Sequence, residues 1–272
     1  MLPEKSIRTS ITLHGALFFV AQASLLIVVT LAYRMGWPRF ALFLGISAAY
    51  HGLLTGLLVM RSTDFRVEST GTQLLRVNLP NTLTLGRLSS LPSILYLIIQ
   101  ASTYSVVPVI LPLMTIVFAT DFLDGMIARR RKQITFVGRY LDSTSDYLMI
   151  VAVSIIFYYY DLVPLWFFIL ILCRLILFAA GMALLALRSG KTDPQATFLG
   201  KASIFALMVL YVMKVAGMIG VPWIGDDTVI RIVEYGVALI VVVSLVDKAI
   251  FLRAKFAEAA RIRKTPSARG SA

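Results

Sequence analysis

Eight predominantly apolar stretches recur along the chain, near residues 12–33, 41–60, 83–102, 105–128, 140–160, 163–187, 202–220 and 229–252. Each approaches the roughly 20 residues that a helix needs to cross a bilayer. Short polar segments separate them. The pattern predicts an all-α, polytopic transmembrane helical bundle of about eight spans. The third and fourth stretches carry polar residues near their ends and are the weakest by hydropathy. In the first, Ala21-Gln22-Ala23 resembles a cleavage site, but the apolar run continues beyond it. A spanning anchor is therefore the expected reading.

The polar stretches also suggest an organisation. Residues 1–60 read as a two-helix membrane extension with little polar content. Residues 61–80 turn polar and mark a linker. Phe65, Val67, Leu74, Leu75 and Val77 would give it an interfacial apolar face, and a plain cytoplasmic loop is the alternative. Residues 81–253 form a six-helix core, and 254–272 a basic tail.

Composition agrees with a membrane protein: 58% of the 272 residues are hydrophobic and the mean hydropathy is +0.84. The net charge of +12 follows from topology. On an eight-span arrangement, 21 of the 26 lysines and arginines fall on the side of the two termini. The positive-inside bias makes that side cytoplasmic. The charge then implies contact with anionic membrane lipids and requires no nucleic acid. Cys173, the only cysteine, excludes an intrachain disulfide and reads as a small core residue. His14 and His51 lie in distant apolar segments and read as packed residues rather than metal ligands.

Candidate chemistry concentrates in residues 121–146, DFLDGMIARRRKQITFVGRYLDSTSD. Four of the 14 acidic residues, Asp121, Asp124, Asp142 and Asp146, lie here, where two apolar runs meet in a short basic turn. On helices, Asp121 and Asp124 (i, i+3) share one face, and Asp142 and Asp146 (i, i+4) share another. Four uncompensated carboxylates at a membrane surface repel one another. An all-oxygen set with no histidine or thiolate suits magnesium, manganese or calcium. Four carboxylates suffice for two such ions, an arrangement suited to phosphoryl chemistry. Gly125 leaves room for a ligand against the helix backbone, Ala128 keeps the same face shallow, and Arg129 offers a cationic fork for phosphate. Gly138 would let the chain turn into the next helix. Taken singly, any of these aspartates reads equally well as an interfacial cap.

The spacing Asp-x-x-Asp-Gly-x-x-Ala-Arg, eight residues, then Gly-x-x-x-Asp-x-x-x-Asp runs without a gap. It resembles the signature of the CDP-alcohol phosphatidyltransferases, membrane enzymes of phospholipid synthesis. Pro80-Asn81-Thr82-Leu83-Thr84-Leu85-Gly86-Arg87 is similar to the segment that opens that family's first core helix. Gly200-Lys201-Ala202-Ser203 is similar to an element of its phosphatidylglycerophosphate and cardiolipin synthase branches.

That resemblance implies transfer of a phosphatidyl group from CDP-diacylglycerol to an acceptor hydroxyl, with CMP leaving. It implies that Asp121, Asp124 and Asp142 hold two Mg2+ or Mn2+ ions, with Asp146 beside them as metal ligand and catalytic base. Asn81, Thr84, Asp121, Gly125, Ala128 and Arg129 would meet the cytidine diphosphate. It also implies a homodimer in a cell inner membrane; the lysine and arginine distribution puts the active site and both termini on the cytoplasmic side.

For the acceptor, a charge in mid-span such as Arg174 is expensive unless it faces a polar cavity. Arg174 and Lys201, with Arg139, are candidates to bind an anionic acceptor. Arg188 and Lys191 read more simply as membrane-edge anchors. A phosphorylated alcohol, glycerol 3-phosphate above all, fits best. Against this, Asp142-Ser-Thr-Ser-Asp146-Tyr147 departs from the Asp-Pro-x-x-Asp-Lys of glycerophosphate enzymes and resembles the inositol and inositol-phosphate branches. Leu175 likewise stands where glycerophosphate enzymes often carry an acid. A membrane cation transporter is the competing class. It would need polar residues spread through the membrane depth, whereas these aspartates cluster at one end of their helices.

Overall fold

The structure, a computed structural model, describes residues 2–130, 133–189, 198–218 and 226–264. Eight α-helices account for most of them: α1 (Leu2–Ala32), α2 (Trp37–Met60), α3 (Leu79–Gln100), α4 (Val107–Arg130), α5 (Phe136–Tyr159), α6 (Leu165–Ser189), α7 (Phe198–Gly217) and α8 (Asp227–Lys264). Seven are long and apolar enough to cross a membrane; in α6 the described apolar stretch, Leu165–Gly181, is shorter. The chain is an integral membrane protein. The expectation that the third and fourth spans are least hydropathic holds for only one of them. Mean hydropathy is 1.4 for α3 but 1.7 for α4, and the lowest value, 1.3, belongs to α5, which carries Asp142 and Asp146.

Two compact units make up the chain: Met1–Ile156 with Val212–Gly225, and Phe157–Tyr211 with Asp226–Ala272. In the first, Ile7 and Ile11 of α1, Leu58 of α2, Phe65 and Val77 of the linker, Leu85 and Leu88 of α3, and Val137 and Leu141 of α5 form one buried cluster. The extension therefore shares a core with α3 and α5. Polar contacts pin it further. Ser6 Oγ donates to the Leu75 carbonyl (3.0 Å), the Val77 N–H donates to Ser10 Oγ (3.1 Å), and Ser93 Oγ of α3 donates to Gln22 Oε1 of α1 (2.6 Å).

Pro92 explains a further joint. A proline inside a helix lacks the N–H that would bond the carbonyl four residues back, here that of Leu88. In a membrane that carbonyl needs another donor, and the Tyr50 hydroxyl of α2 supplies it at 2.9 Å.

The linker is neither an open loop nor an interfacial helix. After a 3-10 turn at Ser62–Asp64 it forms a short antiparallel excursion, with Arg66 opposite Gln73. Gly71 takes φ +68° at its tip, a conformation that costs glycine little. Phe65, Val67 and Val77 are buried within the protein, while Leu75 is exposed. Val67 also bridges to Thr135, tying the linker to the start of α5.

In the second unit α6 packs on α8, with Trp166 stacked on Tyr235 (5.5 Å between ring centroids). Asp226 caps α8, its Oδ1 accepting from the N–H groups of Thr228 (2.7 Å) and Val229 (3.1 Å). Those two bonds favour the charged carboxylate and hold its pKa below the usual value. At 38 residues α8 is about 57 Å long, far longer than a hydrocarbon core, so its basic C-terminal turns continue beyond the membrane. Cys173 is exposed rather than a core residue. Its neighbour Arg174 is buried, and one step round the helix carries the small thiol to the outer, apolar face. His14 and His51 are packed as expected, each with Nδ1 on the carbonyl four residues back, at 2.7 and 2.8 Å.

Candidate active site

The site is assembled from the N-terminal turns of two helices. Asn78 caps α3, its side chain accepting from the Asn81 N–H at 3.3 Å, with Pro80 in the first turn, where no N–H is needed. Thr135 caps α5 in the same way: its Oγ1 accepts from the Gly138 N–H at 3.0 Å. Asn78 Nδ2 donates to the Gln133 carbonyl (3.0 Å), and the Asn81 side chain bonds Thr135 Oγ1, Nδ2 donating at 3.0 Å. The two caps are thus tied directly together.

Gly138 is inside α5 and does not form the turn, as the spacing had suggested. A Cβ there would come within 2.6 Å of Thr135 Oγ1 and closer still to Asn81 Oδ1. Its missing side chain makes room for Asn81, which is why the helices approach so closely here.

Arg87 of α3 sits at the centre. Its side chain is wholly buried, and its two terminal nitrogens reach both aspartates of α5: Nη2 donates to Asp142 Oδ1 at 2.9 Å, and Nη1 lies 3.2 Å from Asp146 Oδ1. Asp142 and Asp146 therefore converge as their spacing predicts. Among the described residues one guanidinium faces two carboxylates, and the Asp142 side chain is 38% exposed. Two carboxylates do not make a metal site by themselves, and among the described residues no group of three or more acidic, histidine or cysteine side chains comes together; a hard divalent cation here would need Asp121 and Asp124 as well.

Arg87 had no assigned role in the sequence reading, although it ends the Pro80–Arg87 segment. The signal was there: an arginine within a membrane span needs an acidic partner. Among the described residues, the acids it reaches are the two of α5.

Asn81 and Thr84 are both buried. Thr84 Oγ1 donates to the Pro80 carbonyl (3.1 Å), and Asn81 is engaged with Thr135 as above. Gly125 and Ala128 are half-buried on α4. Asp121, Asp124 and Arg129 belong to the last turns of α4, and their side chains lie outside the described residues. Arg139, a candidate for the acceptor, forms an ion pair with Glu68 of the linker, whose N–H donates to the Ile134 carbonyl at 2.9 Å.

The other two acceptor candidates are in the second unit. Arg174 is buried, its Nη2 donating to the Gly200 carbonyl (3.0 Å) and to Ser203 Oγ (2.6 Å). Lys201 is exposed. The first and last residues of Gly200-Lys201-Ala202-Ser203 thus serve Arg174, while its lysine points away from the unit's interior. Ser203 Oγ bonds Ser244 Oγ of α8 at 3.1 Å. Lys248, one helical turn beyond Ser244, is buried with Nζ 3.3 Å from the centre of the Phe178 ring. No role for it follows from the sequence motifs.

A sequence model described as CDP-alcohol phosphatidyltransferase matches residues 77–250, which contain both helix caps, Arg87 and all four aspartates. The chain belongs to the CDP-alcohol phosphatidyltransferase family. Relatives agree. A cardiolipin synthase (CMP-forming) of Streptomyces coelicolor is 33% identical over 153 residues, covering 53% of this chain and 68% of the relative. A CDP-diacylglycerol–glycerol-3-phosphate 3-phosphatidyltransferase of Bacillus subtilis is 30% identical over 145 residues, 48% of this chain and 73% of the relative. Its counterpart from Aquifex aeolicus is 29% identical over 175 residues, 63% of this chain and 93% of the relative. The protein is accordingly a CDP-alcohol phosphatidyltransferase of phospholipid synthesis. Residues 1–76 precede the matched region.

Proposed function

We propose that this transferase moves the phosphatidyl group of CDP-diacylglycerol onto the hydroxyl of glycerol 3-phosphate, releasing CMP. The observation that carries the reading is the bridge from Arg87 to Asp142 and Asp146, inside an aspartate signature with every fixed position intact. Asp121, Asp124 and Asp142, with Asp146, would hold two magnesium or manganese ions. When bound, these would neutralise the diphosphate and the charge developing on the departing CMP.

The chain's own residues have separate tasks. Arg87 fixes the rotamers of both α5 carboxylates. Asp146 takes the proton of the attacking hydroxyl. That proton moves late in the reaction, or leaves an acceptor already made more acidic. Gly125, Ala128 and Arg129, with Asn81 and Thr84 from α3, receive the cytidine diphosphate. Arg174, Lys201 and Arg139 favour an anionic acceptor. Most of the acceleration comes from positioning and charge neutralisation, as in other phosphoryl transfers. The active site and both termini face the cytoplasm, in keeping with the distribution of lysine and arginine. The family resemblance extends this to a homodimer in a cell inner membrane.

A second acceptor is favoured by one specific finding, the relatives named cardiolipin synthase. There the attacking hydroxyl would belong to phosphatidylglycerol, itself a lipid. The two readings separate in one experiment: purified protein with radiolabelled CDP-diacylglycerol, Mg2+ and either glycerol 3-phosphate or phosphatidylglycerol, with the lipid product resolved by chromatography. Phosphatidylglycerophosphate formed only with the first acceptor supports the main reading. Cardiolipin formed only with the second replaces it. Product with neither acceptor would overturn both.

A further inference from the structure

A groove of about 630 Å³ lies in the first unit between α2 and α5. Leu54, Leu57 and Leu58 of α2 line one wall, and Leu141, Thr144 and Leu148 of α5 the other. Leu58 and Leu141 belong to the buried core, whereas Leu57 and Leu148 are about half exposed. Leu88 and Tyr50 also border it, at the point where the Tyr50 hydroxyl satisfies the carbonyl freed by Pro92. At the opposite end stand Arg61, Asp64, Phe136 and Tyr140. α2 packs on α1 and α3.

Three features identify the occupant. The walls belong to membrane-spanning helices and are almost entirely apolar, so the occupant is a hydrocarbon chain. From Arg61 back to Tyr50 is eleven residues of helix, roughly 16 Å at 1.5 Å per residue. That matches one leaflet, about half of a 30 Å hydrocarbon core. The charged side chains sit at one end only, where a headgroup would lie. Arg61 there is 77% exposed and holds Asp64 at just 3.7 Å, a loose contact that leaves its guanidinium available to a phosphate.

The groove is not the reaction's own lipid site. At 3.6 residues per turn, Val137, Leu141, Thr144 and Leu148 fall within roughly 60° of one another around α5, and Asp142 and Asp146 lie on the opposite side. We infer that the groove between α2 and α5 binds one acyl chain of a bilayer phospholipid whose phosphate meets Arg61. The N-terminal extension thereby gains a role: it completes a resident-lipid site that wedges the back of the aspartate-bearing helix. The geometry of a leaflet-deep slot with a cation at its rim is what carries this, independently of which acceptor the enzyme uses.

The test is photolabelling of the full-length protein in nanodiscs containing phosphatidylglycerol with a diazirine near the middle of one acyl chain. Adducts are mapped by mass spectrometry. Label on residues 54–58 and 141–148 should exceed that on Val28 and Ile116, which are exposed on α1 and α4, by at least several-fold. Filling the groove with Thr144→Trp should bring the excess to background. Arg61→Glu should lower it about threefold or more while leaving Ile116 unchanged. Equal labelling of the groove and of Val28 and Ile116 in the unmutated protein would overturn the inference, whatever the variants do. So would efficient disulfide formation between two copies of a Leu57→Cys variant with groove label at background, since a second copy would then be the occupant.

Discussion

Removing the Arg87 guanidinium tests the geometry on which the site depends. Arg87→Met keeps the side chain's length and apolar stem but deletes the charge that touches both α5 carboxylates, at 2.9 and 3.2 Å. Stranding a buried charge by deleting its partner costs about 3–5 kcal/mol. The two aspartates do not share that cost equally. Asp142 is 38% exposed and recovers much of its loss from water, whereas Asp146 is 14% exposed and recovers little. The lower end, about 3 kcal/mol, is therefore expected. Thermal unfolding in detergent, followed by intrinsic fluorescence without divalent metal, should show Tm falling by several degrees. The second half of the cycle is Asp146→Asn on the Arg87→Met background. Removing the stranded carboxylate should recover a good part of the loss, giving a coupling energy of about 1–3 kcal/mol between the two positions. Arg87→Lys should restore only part of it, because one ammonium cannot reproduce a fork that meets two carboxylates. An unchanged Tm in Arg87→Met, or strictly additive effects in the double variant, would refute the bridge.

Other expectations follow from the same contacts. Asp146→Asn alone should cut CMP release at least a hundredfold while keeping Tm within a few degrees, because the amide oxygen still faces Arg87; near-normal turnover would remove Asp146 from the reaction. Gly138→Ala places a methyl against Asn81 and Thr135 and should cost about 1–3 kcal/mol by overpacking, read as a lower Tm; a neutral substitution would contradict the close approach of the caps. Arg174→Met should raise the KM for a phosphorylated acceptor at least tenfold with little change in the KM for CDP-diacylglycerol; a lower Tm with both KM values unchanged would make Arg174 purely structural.

The helices were legible because membrane spans announce themselves by length and hydropathy, and most of their ends fell close to the apolar runs; α1 begins ten residues before its run and α8 ends twelve residues after its own, because helices continue past the apolar segment into polar sequence. The aspartate pair on α5 was legible because i, i+4 spacing fixes its common face. What escaped the sequence depended on contacts between distant segments. Arg87 reads as one more polar residue of a mixed helix until α3 is set against α5. Phe65, Val67 and Val77 look like an interfacial stripe because their burial depends on α1 and on the turn before α5. Tyr50 has no visible task until Pro92, 42 positions later in the sequence, frees a carbonyl beside it. Cys173 was misplaced for the converse reason: in a membrane an apolar residue gains little by facing inward, so hydropathy does not say which face of a span is buried.

The most direct test of the central claim is CMP release by the purified full-length protein given CDP-diacylglycerol, Mg2+ and glycerol 3-phosphate. Phosphatidylglycerol, inositol and inositol phosphate serve in parallel reactions, each with and without EDTA. The account predicts stoichiometric CMP and phosphatidylglycerophosphate with glycerol 3-phosphate, abolished by EDTA and restored by Mg2+ or Mn2+. CMP release that persists in EDTA would contradict the role given to the four aspartates, and release with a different acceptor alone would contradict the choice of glycerol 3-phosphate.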